Sequence, residues 1–581
     1  MCGIYCSLSI QQPLLPDEKT RSWLQRRGPD SLQTHQVQVT CGRDPDKKIP
    51  AYLTFVSTVL ALRGDHVQTQ PLVDSKSQSV LCWNGEAWKI SGRPVEGNDT
   101  EQIFRGLIAA SRKTDADEAL RVLTHFISAI SGPFSFVFYD GHHSRLFFSR
   151  DYIGRRSLLH CQDECGNLKI CSVSDGETDT FEEVETTGLH MIDLVCTAVE
   201  DTHQGRRLAS KVTVIPWSES LSTEATHFLI NPLPPMNRSL PTARPPALTS
   251  ASPSVASLEH KLRRSLEQRV QNIPDFQNGS SASDAKIAVL FSGGLDCTVL
   301  ARLAHGILPT NEPIDLLNVA FENPRVAAAQ TKNKGIPTEN SIYESCPDRV
   351  TGRAGYAELQ RVCPGRFWRF VAVDVPYSEF LSHRDEVIQL MKPHNTEMDL
   401  SIACALYFAA RGQGYVVEAR DDHPTTVAYT TPARVLLSGL GADELFAGYS
   451  RHGASFSRGG FPTLIDEVEL DVGRLGKRNL GRDDRVISHW GREARFPYLD
   501  EELVAWANQT PIWERCGFGT ATTNDPNDAT QHLDSEKKVL RLLALKLGLT
   551  QRAKEKKRAI QFGARTAKME SGRSRGTHLV S

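Results

Sequence analysis

Cys2 stands directly after the initiator methionine of a 581-residue chain. A small second residue permits removal of that methionine, and a cysteine at the chain start then carries nucleophile and base in one residue. Its thiol attacks a carbonyl while the free α-amine, with an ordinary pKa of about 7.7–8.0, moves the proton near neutral pH. Far along the chain, Ala288-Val289-Leu290-Phe291 runs into Ser292-Gly293-Gly294-Leu295-Asp296-Cys297. An apolar strand, a Ser-Gly-Gly turn and a helix start make a phosphate cradle: glycine lets the backbone approach the oxygens, and the helix N-terminus supplies amide donors and a favourable dipole. Asp296 offers Mg²⁺ a hard oxygen. The G-K-[ST] ending of a Walker loop is absent. Leu436-Leu437-Ser438-Gly439-Leu440-Gly441-Ala442-Asp443-Glu444 repeats the pattern of apolar strand, small residues and carboxylates. If both strands belong to one parallel sheet their ends share a crevice, and Asp443 completes a metal site with Asp296.

The composition is that of an ordinary globular chain. It is 40% hydrophobic with a formal net charge of -2, so charge argues for neither a nucleic-acid nor a membrane partner. The start, MCGIYCSLSI, lacks the basic region and the long apolar run of a secretory signal. Cys2/Cys6 and Cys161/Cys165 share a CxxxC spacing, but no histidine or second pair completes a zinc site. Reduced thiols in the cytoplasm are the expectation.

Two halves joined by a soft stretch must position these residues. The first, residues 2–215, holds β-branched and aromatic runs that read as strands: Ala51 to Leu62, Val80 to Trp83, Phe134 to Tyr139, Leu146 to Ser149 and Lys169 to Val173. A helix-competent stretch, Thr100 to Ile130, lies among them. Residues 231–257 are dense in Pro, Ser and Thr and read as a linker. A helix capped by Ser257 follows, with Leu258, Leu262, Leu266 and Val270 on one face. In residues 258–570 the runs Ile287 to Phe291, Leu316 to Phe321, Phe370 to Val375 and Val435 to Leu437 alternate with helical stretches, the pattern of a doubly wound parallel sheet. Asp421 to Thr431 and Gly519 to Gln531 read as polar loops, and residues 571–581 as a flexible tail.

Gln25-Arg26-Arg27-Gly28-Pro29-Asp30, Trp83-Asn84-Gly85-Glu86, Gly97-Asn98-Asp99-Thr100 and Phe148-Ser149-Arg150-Asp151-Tyr152-Ile153-Gly154 follow Cys2 in that order. The side-chain amide of Asn84 and the backbone amide of Gly85 are suited to share an oxyanion. Taken together, the series resembles the class II, Ntn-type glutamine amidotransferase domain over roughly residues 2 to 190. The resemblance implies an αββα sandwich in which Cys2 attacks the glutamine side-chain amide. It assigns the oxyanion hole to Asn84 and Gly85, the substrate ammonium to Asp99, and its orientation to the Glu86 backbone. Where the family carries an arginine for the substrate carboxylate, this chain has Val59; Arg63 lies four residues on, about 13 Å along an extended strand.

The second pair of motifs, with Glu493-Ala494-Arg495-Phe496-Pro497-Tyr498-Leu499-Asp500, resembles the PP-loop ATP pyrophosphatase fold of glutamine-hydrolysing asparagine synthetase over roughly residues 258 to 570. That family adenylates the β-carboxylate of aspartate, releases pyrophosphate and lets ammonia displace AMP. The resemblance implies phosphates on Ser292, Gly293, Gly294, Asp296 and Cys297. Nucleotide contacts follow at Phe291, Val319, Ser438 and Gly439, a pyrophosphate contact at Lys557-Arg558, and Mg²⁺ on Asp296 and Asp443. Cys297 stands where the family has a serine. Lys392 stands where it has a glutamate that assists ammonia attack, with Glu397 and Asp399 the nearby carboxylates. The runs Asp348 to Leu359, Gly481 to Val504 and Lys557 to Arg565 resemble the branch of asparagine synthetase domain-containing proteins. The expected activity is glutamine-dependent asparagine synthesis with ATP and Mg²⁺. The alternatives are an amidotransferase acting on another carboxylate and a non-catalytic regulator.

Overall fold

A computed structural model describes residues 2–42, 48–175, 180–202, 205–218, 228–274, 284–326, 328, 339–420, 423–521, 529–569 and 576–580. The N-terminal part is a sandwich of two sheets, one six-stranded and one seven-stranded. Alternation along each strand sets what each face meets. In Gly3–Ser9, Ile4, Cys6 and Leu8 point into the core between the sheets. Tyr5 points the other way and joins a second apolar cluster. In Phe134–Asp140, Val137 and Tyr139 face inward, while Phe134, Phe136 and Phe138 lie under two helices, Asp99–Ser111 and Ala116–Ser128. The expected single helical stretch is thus two helices, the second capped by Asp115. The layers are helices, sheet, sheet and, on the outer face of the first sheet, the helix Glu18–Arg27 with the C-terminal part of the chain.

That C-terminal part is built on a seven-stranded sheet. Its order is His423–Thr430, Gln413–Arg420, Trp368–Val375, Ile314–Phe321, Ile287–Leu290, Val435–Leu437, Glu493–Arg495. The last five are parallel. The chain winds away from Ile287–Leu290 in both directions, so the crevice lies at the ends of Ile287–Leu290 and Val435–Leu437. The architecture is therefore an α+β sandwich of the Ntn type joined to a doubly wound α/β sheet.

Four expectations change. Most of Asp421 to Thr431, read as a loop, is an edge strand, because His423–Thr430 pairs along its length with Gln413–Arg420. Of the loop expected over Gly519 to Gln531, residues 522–528 lie outside the described residues. The linker helix begins at Pro253, capped by Ser252 rather than Ser257. Proline suits a first helical position, where no N–H is needed. The linker itself is tied down: Asn237 N donates to Asn508 O (2.7 Å), Ala521 N to Pro245 O (2.8 Å), and Leu233, Met236 and Leu248 are buried. Of the tail, residues 576–580 are not free: Gly576 O and His578 O accept from Met398 N and Glu397 N at 3.0 and 2.9 Å. Residues 571–575 and 581 lie outside the described residues.

Buried ion pairs hold the two parts in register. Arg27, from the R-G-P-D turn, donates to Asp484 Oδ2 at 2.8 Å with both side chains almost fully enclosed. Arg155 reaches Leu499 O and Glu501, and Arg156 reaches Glu493 at 3.1 Å. Removing one partner of such a pair leaves a charge stranded, at a cost of about 3–5 kcal/mol. Asp484→Ala is therefore expected to lower stability by about that amount. Urea unfolding of the full chain checks it, and a midpoint equal to the parent's would show that Arg27 needs no partner.

Candidate functional site

Cys2 lies at the entry of the strand Gly3–Ser9, buried in a cavity of about 30 Å³ with Val59, Arg63, Gln70, Glu86 and Asp99 in its wall. Burial pushes its thiol above the ordinary value. Gln70 Nε2 is 3.9 Å from Cys2 Sγ, and Gln70 Oε1 accepts from Trp83 N at 2.7 Å. Gly85 lines this cavity; a Cβ there would lie 2.4 Å from Pro133 O. The side chain of Asn84 does not reach it. Asn84 Nδ2 donates to Ser135 Oγ at 3.5 Å, and Asn84 Oδ1 is buried without a partner among the described residues. Asp99 Oδ2 accepts from Trp83 Nε1 (3.2 Å) and Ala87 N (2.8 Å). Burial raises the Asp99 carboxyl, with Arg63 opposing.

The strand carrying Val59 ends there, so the 13 Å displacement expected of Arg63 along an extended strand does not arise. The chain turns, and Arg63 Nε comes within 3.6 Å of Glu86 Oε2, while its terminal nitrogens donate to Ala87 O and Val95 O. Glu86 Oε1 accepts from Arg495 at 3.1 Å, whereas Glu86 Oε2 is buried with no hydrogen bond among the described residues. The Cys2 cavity is thus walled by acidic side chains whose counter-ions come partly from the other half of the chain.

At the crevice of the parallel sheet, Ser292 to Gly294 link Ile287–Leu290 to the helix Leu295–His305. Gly293 has φ +76°, and a Cβ on it would meet Thr351 O at 2.3 Å, so the turn demands glycine twice over. Every residue expected at the nucleotide lines one cavity of about 360 Å³ except Gly293, which packs behind it. Cys297 Sγ donates to Gly294 O (3.4 Å) and sits 3.8 Å from Ser292 Oγ. Asp296 and Asp443 do face each other, but through a residue that sequence reasoning missed. Lys537 Nζ donates to Asp296 Oδ1 and Oδ2 at 2.9 and 2.7 Å and is 2.8 Å from Asp443 Oδ1; Lys557 Nζ is 2.5 Å from Asp443 Oδ2. Burial alone would raise Asp443, but the two ammonium groups hold it well below the carboxylate range; burial pushes Asp296 up against the pull of Lys537. Lys537 takes a left-handed φ of +53°, a strained position for a side-chain-bearing residue. Among the described residues no group of three metal-ligating side chains is present. The two carboxylates offer the hard oxygens that Mg²⁺ takes, but all four oxygens lie within 2.9 Å of the Lys537 or Lys557 ammonium, which a metal would have to displace.

Arg474, Arg478 and Arg482 also line this cavity. Lys392, Glu397 and Asp399 are not in its wall. Lys392 ends the helix Tyr377–Met391 beside a different cleft, of about 270 Å³, bordered by Pro393, His394 and Arg150. Asp399 is paired with Arg482 at 2.6 Å. No local pattern marks Lys537 or Arg482: each acquires its place from partners 241 and 83 residues away.

Residues 58–175 match a family model described as a glutamine amidotransferase domain. The chain is 35% identical to asparagine synthetase domain-containing protein 1 of Mus musculus, over 99% of this chain and 98% of that one. The chain belongs to the asparagine synthetase domain-containing protein family. A Saccharomyces cerevisiae protein of the family is 31% identical over 92% of this chain and 88% of its own. Asparagine synthetase B, glutamine-hydrolysing, of Escherichia coli is 22% identical over 78% of this chain and 66% of its own. The family thus joins a glutamine amidotransferase domain to an asparagine-synthetase-like one. Among the described residues no helix is long and apolar enough to cross a membrane.

Asp348 is a further buried acid in the larger cavity, 7% exposed and without a hydrogen-bonded side-chain partner among the described residues. Burial pushes its carboxyl up to about 7, with Arg558 acting against. Its folded value lies above an unfolded one near 3.9, so its favourable contribution is present below about pH 4 and lost as pH rises towards 7. Asp348→Asn removes that loss. The variant is expected to be more stable than the parent at pH 8, by up to about 4 kcal/mol, with the advantage shrinking at pH 5. Urea unfolding at the two pH values checks it; a pH-independent difference would contradict the burial of an ionisable acid.

Proposed function

We propose that this protein makes an amide from glutamine-derived ammonia and an ATP-activated carboxylate, with aspartate as the acceptor and asparagine as the product. The observation that carries the reading is the opposition of Asp296 and Asp443 across the Ser292–Gly294 turn, with Lys537 and Lys557 beside them. Such an arrangement suits a triphosphate: turn amides and the helix start face the oxygens, and the lysines balance charge as pyrophosphate leaves. Asp296 and Asp443 are the residues that would hold Mg²⁺, which supplies further charge neutralisation to the phosphates when bound. Phe291, Val319, Ser438 and Gly439 line the part of the cavity left for the nucleoside.

In the first half-reaction the Cys2 thiolate attacks the side-chain carbonyl of glutamine, ammonia leaves, and water cleaves the thioester to glutamate. The free α-amine of Cys2, once Met1 is removed, takes the thiol proton and returns it to the leaving nitrogen. Gly85 N–H lies at the cavity to receive the oxyanion, and Asn84 must turn from Ser135 to join it. Asp99 and Glu86 face the substrate ammonium. In the second half-reaction a carboxylate oxygen of aspartate attacks the α-phosphorus of ATP and pyrophosphate departs. Ammonia then attacks the acyl carbon and AMP leaves. Arg474 and Arg478 add cationic groups to the wall of the same cavity, beside Arg482, which Asp399 and Asp483 hold. These cations also suit another, larger carboxylate, which is the second reading.

Two outcomes test this. Cys2→Ala should abolish glutamate release yet leave ammonia-dependent AMP formation within about twofold, because the thiol serves one cavity and the phosphate loop the other. Glutamate released at the parent rate would discard Cys2 as nucleophile. Asp296→Asn and Asp443→Asn should each slow AMP formation about a hundredfold, on the order of 3 kcal/mol, and spare glutamate release. Pyrophosphate release screened with aspartate and with larger carboxylates separates the two acceptors, and undiminished AMP formation in both stable variants would sink the metal role.

A further inference from the structure

Arg495 belongs to the synthetase-like half, yet its side chain serves the glutamine cavity. It is 3% exposed and its nitrogens reach three acceptors: Glu86 Oε1 (3.1 Å), Glu493 Oε1 (2.7 Å) and Arg269 O (2.7 Å). Glu493 is in turn held by Arg156 at 3.1 Å. This grip holds one oxygen, while the other, Glu86 Oε2, is buried in the wall of the Cys2 cavity with Arg63 Nε 3.6 Å away and no hydrogen bond among the described residues. The main chain of Arg495 is hydrogen-bonded to a residue that lines the larger cavity. Arg495 O accepts from Ser438 N at 2.9 Å, immediately before Gly439 and the loop that leads to Asp443. Three residues on, Tyr498 OH donates to Asp296 O at 3.1 Å.

We propose that Arg495 is a positioning residue through which the nucleotide site sets glutamine affinity: a nucleotide that orders the Ser438–Gly439 loop fixes the strand Glu493–Arg495, and that strand aims Glu86 at the substrate ammonium. The inference rests on the glutaminase and ATP readings above. It makes the glutamine pocket a composite of both halves of the chain. Because a coupling between two binding sites is reciprocal, glutamine must tighten ATP by the factor with which ATP tightens glutamine.

The test uses the full chain in a Cys2→Ala background, which binds glutamine without consuming it. Titration calorimetry gives the glutamine Kd with and without saturating ATP. ATP should tighten glutamine by at least about fivefold, the lower end of ordinary coupling. Arg495→Met should bring that factor to about one. Arg495→Lys keeps a buried cation and so a folded chain. A single ammonium cannot hold Glu86, Glu493 and Arg269 O together, so the factor should fall below about two. Circular dichroism confirms the fold of each variant. A merely structural arginine would lower stability, or both affinities alike, and leave the factor unchanged; that result in the folded lysine variant overturns the proposal. So does a parent in which ATP leaves the glutamine Kd untouched. A parent that binds no glutamine at all overturns the glutaminase reading itself.

Discussion

Arg27, Arg155, Arg156, Arg485 and Arg495 are each no more than 3% exposed, and each meets a carboxylate across the seam between the sandwich and the parallel sheet. A guanidinium enclosed in this way is costly unless it is paired and its remaining donors are filled. A buried pair adds little net stability over an apolar contact, but a broken one strands a charge. The seam therefore penalises every relative placement of the two sheet systems except the one in which all the pairs close. This fixed placement, more than any single contact, is what lets Arg495 reach Glu86 from the far half of the chain.

The seam also changes the meaning of several motifs. Arg27 and Asp30 of the R-G-P-D turn bind Asp484 and Arg434. Arg150, Arg155 and Arg156, at and after the end of the strand Arg145–Arg150, bind Glu183, Glu501 and Glu493. These residues are conspicuous in a glutaminase-like sequence, yet in the structure most of them join domains rather than touch the Cys2 cavity. The apolar cluster agrees: Tyr5, Val56 and Leu60 share one continuous core with Val289 and Leu316 of the parallel sheet.

Charge balance organises the crevice of the parallel sheet in the same way. Two carboxylates in the first turns of the helices that follow neighbouring parallel strands would repel each other, and Lys537 lies between them while Lys557 covers the other oxygen of Asp443. A polyanion entering this space finds cations already fixed, which limits the reorganisation required as charge develops. The Cys2 cavity is small and acid-walled by contrast, with Arg63 and Arg495 as counter-ions.

The amino-acid sequence by itself determined most of the elements and the two clusters of candidate residues. β-Branched and aromatic runs bounded by Gly, Asp and Asn predict the strands of the sandwich, and a Ser-Gly-Gly turn after an apolar strand predicts a phosphate cradle because glycine lets the backbone approach the oxygens. The residues expected at a nucleotide, most of them in two short runs, line one cavity except Gly293. What only the tertiary structure decided involves partners distant along the chain. Lys537 meets Asp296 across 241 positions, Arg495 meets Glu86 across 409, Arg63 turns into the Cys2 cavity after its strand ends, and residues 576–580 lie along the start of the helix Glu397–Arg411. Local pattern reports the period and the turn, which short-range sterics set. It carries no record of which buried charge will face which, because that depends on how the packed sheets place their edges.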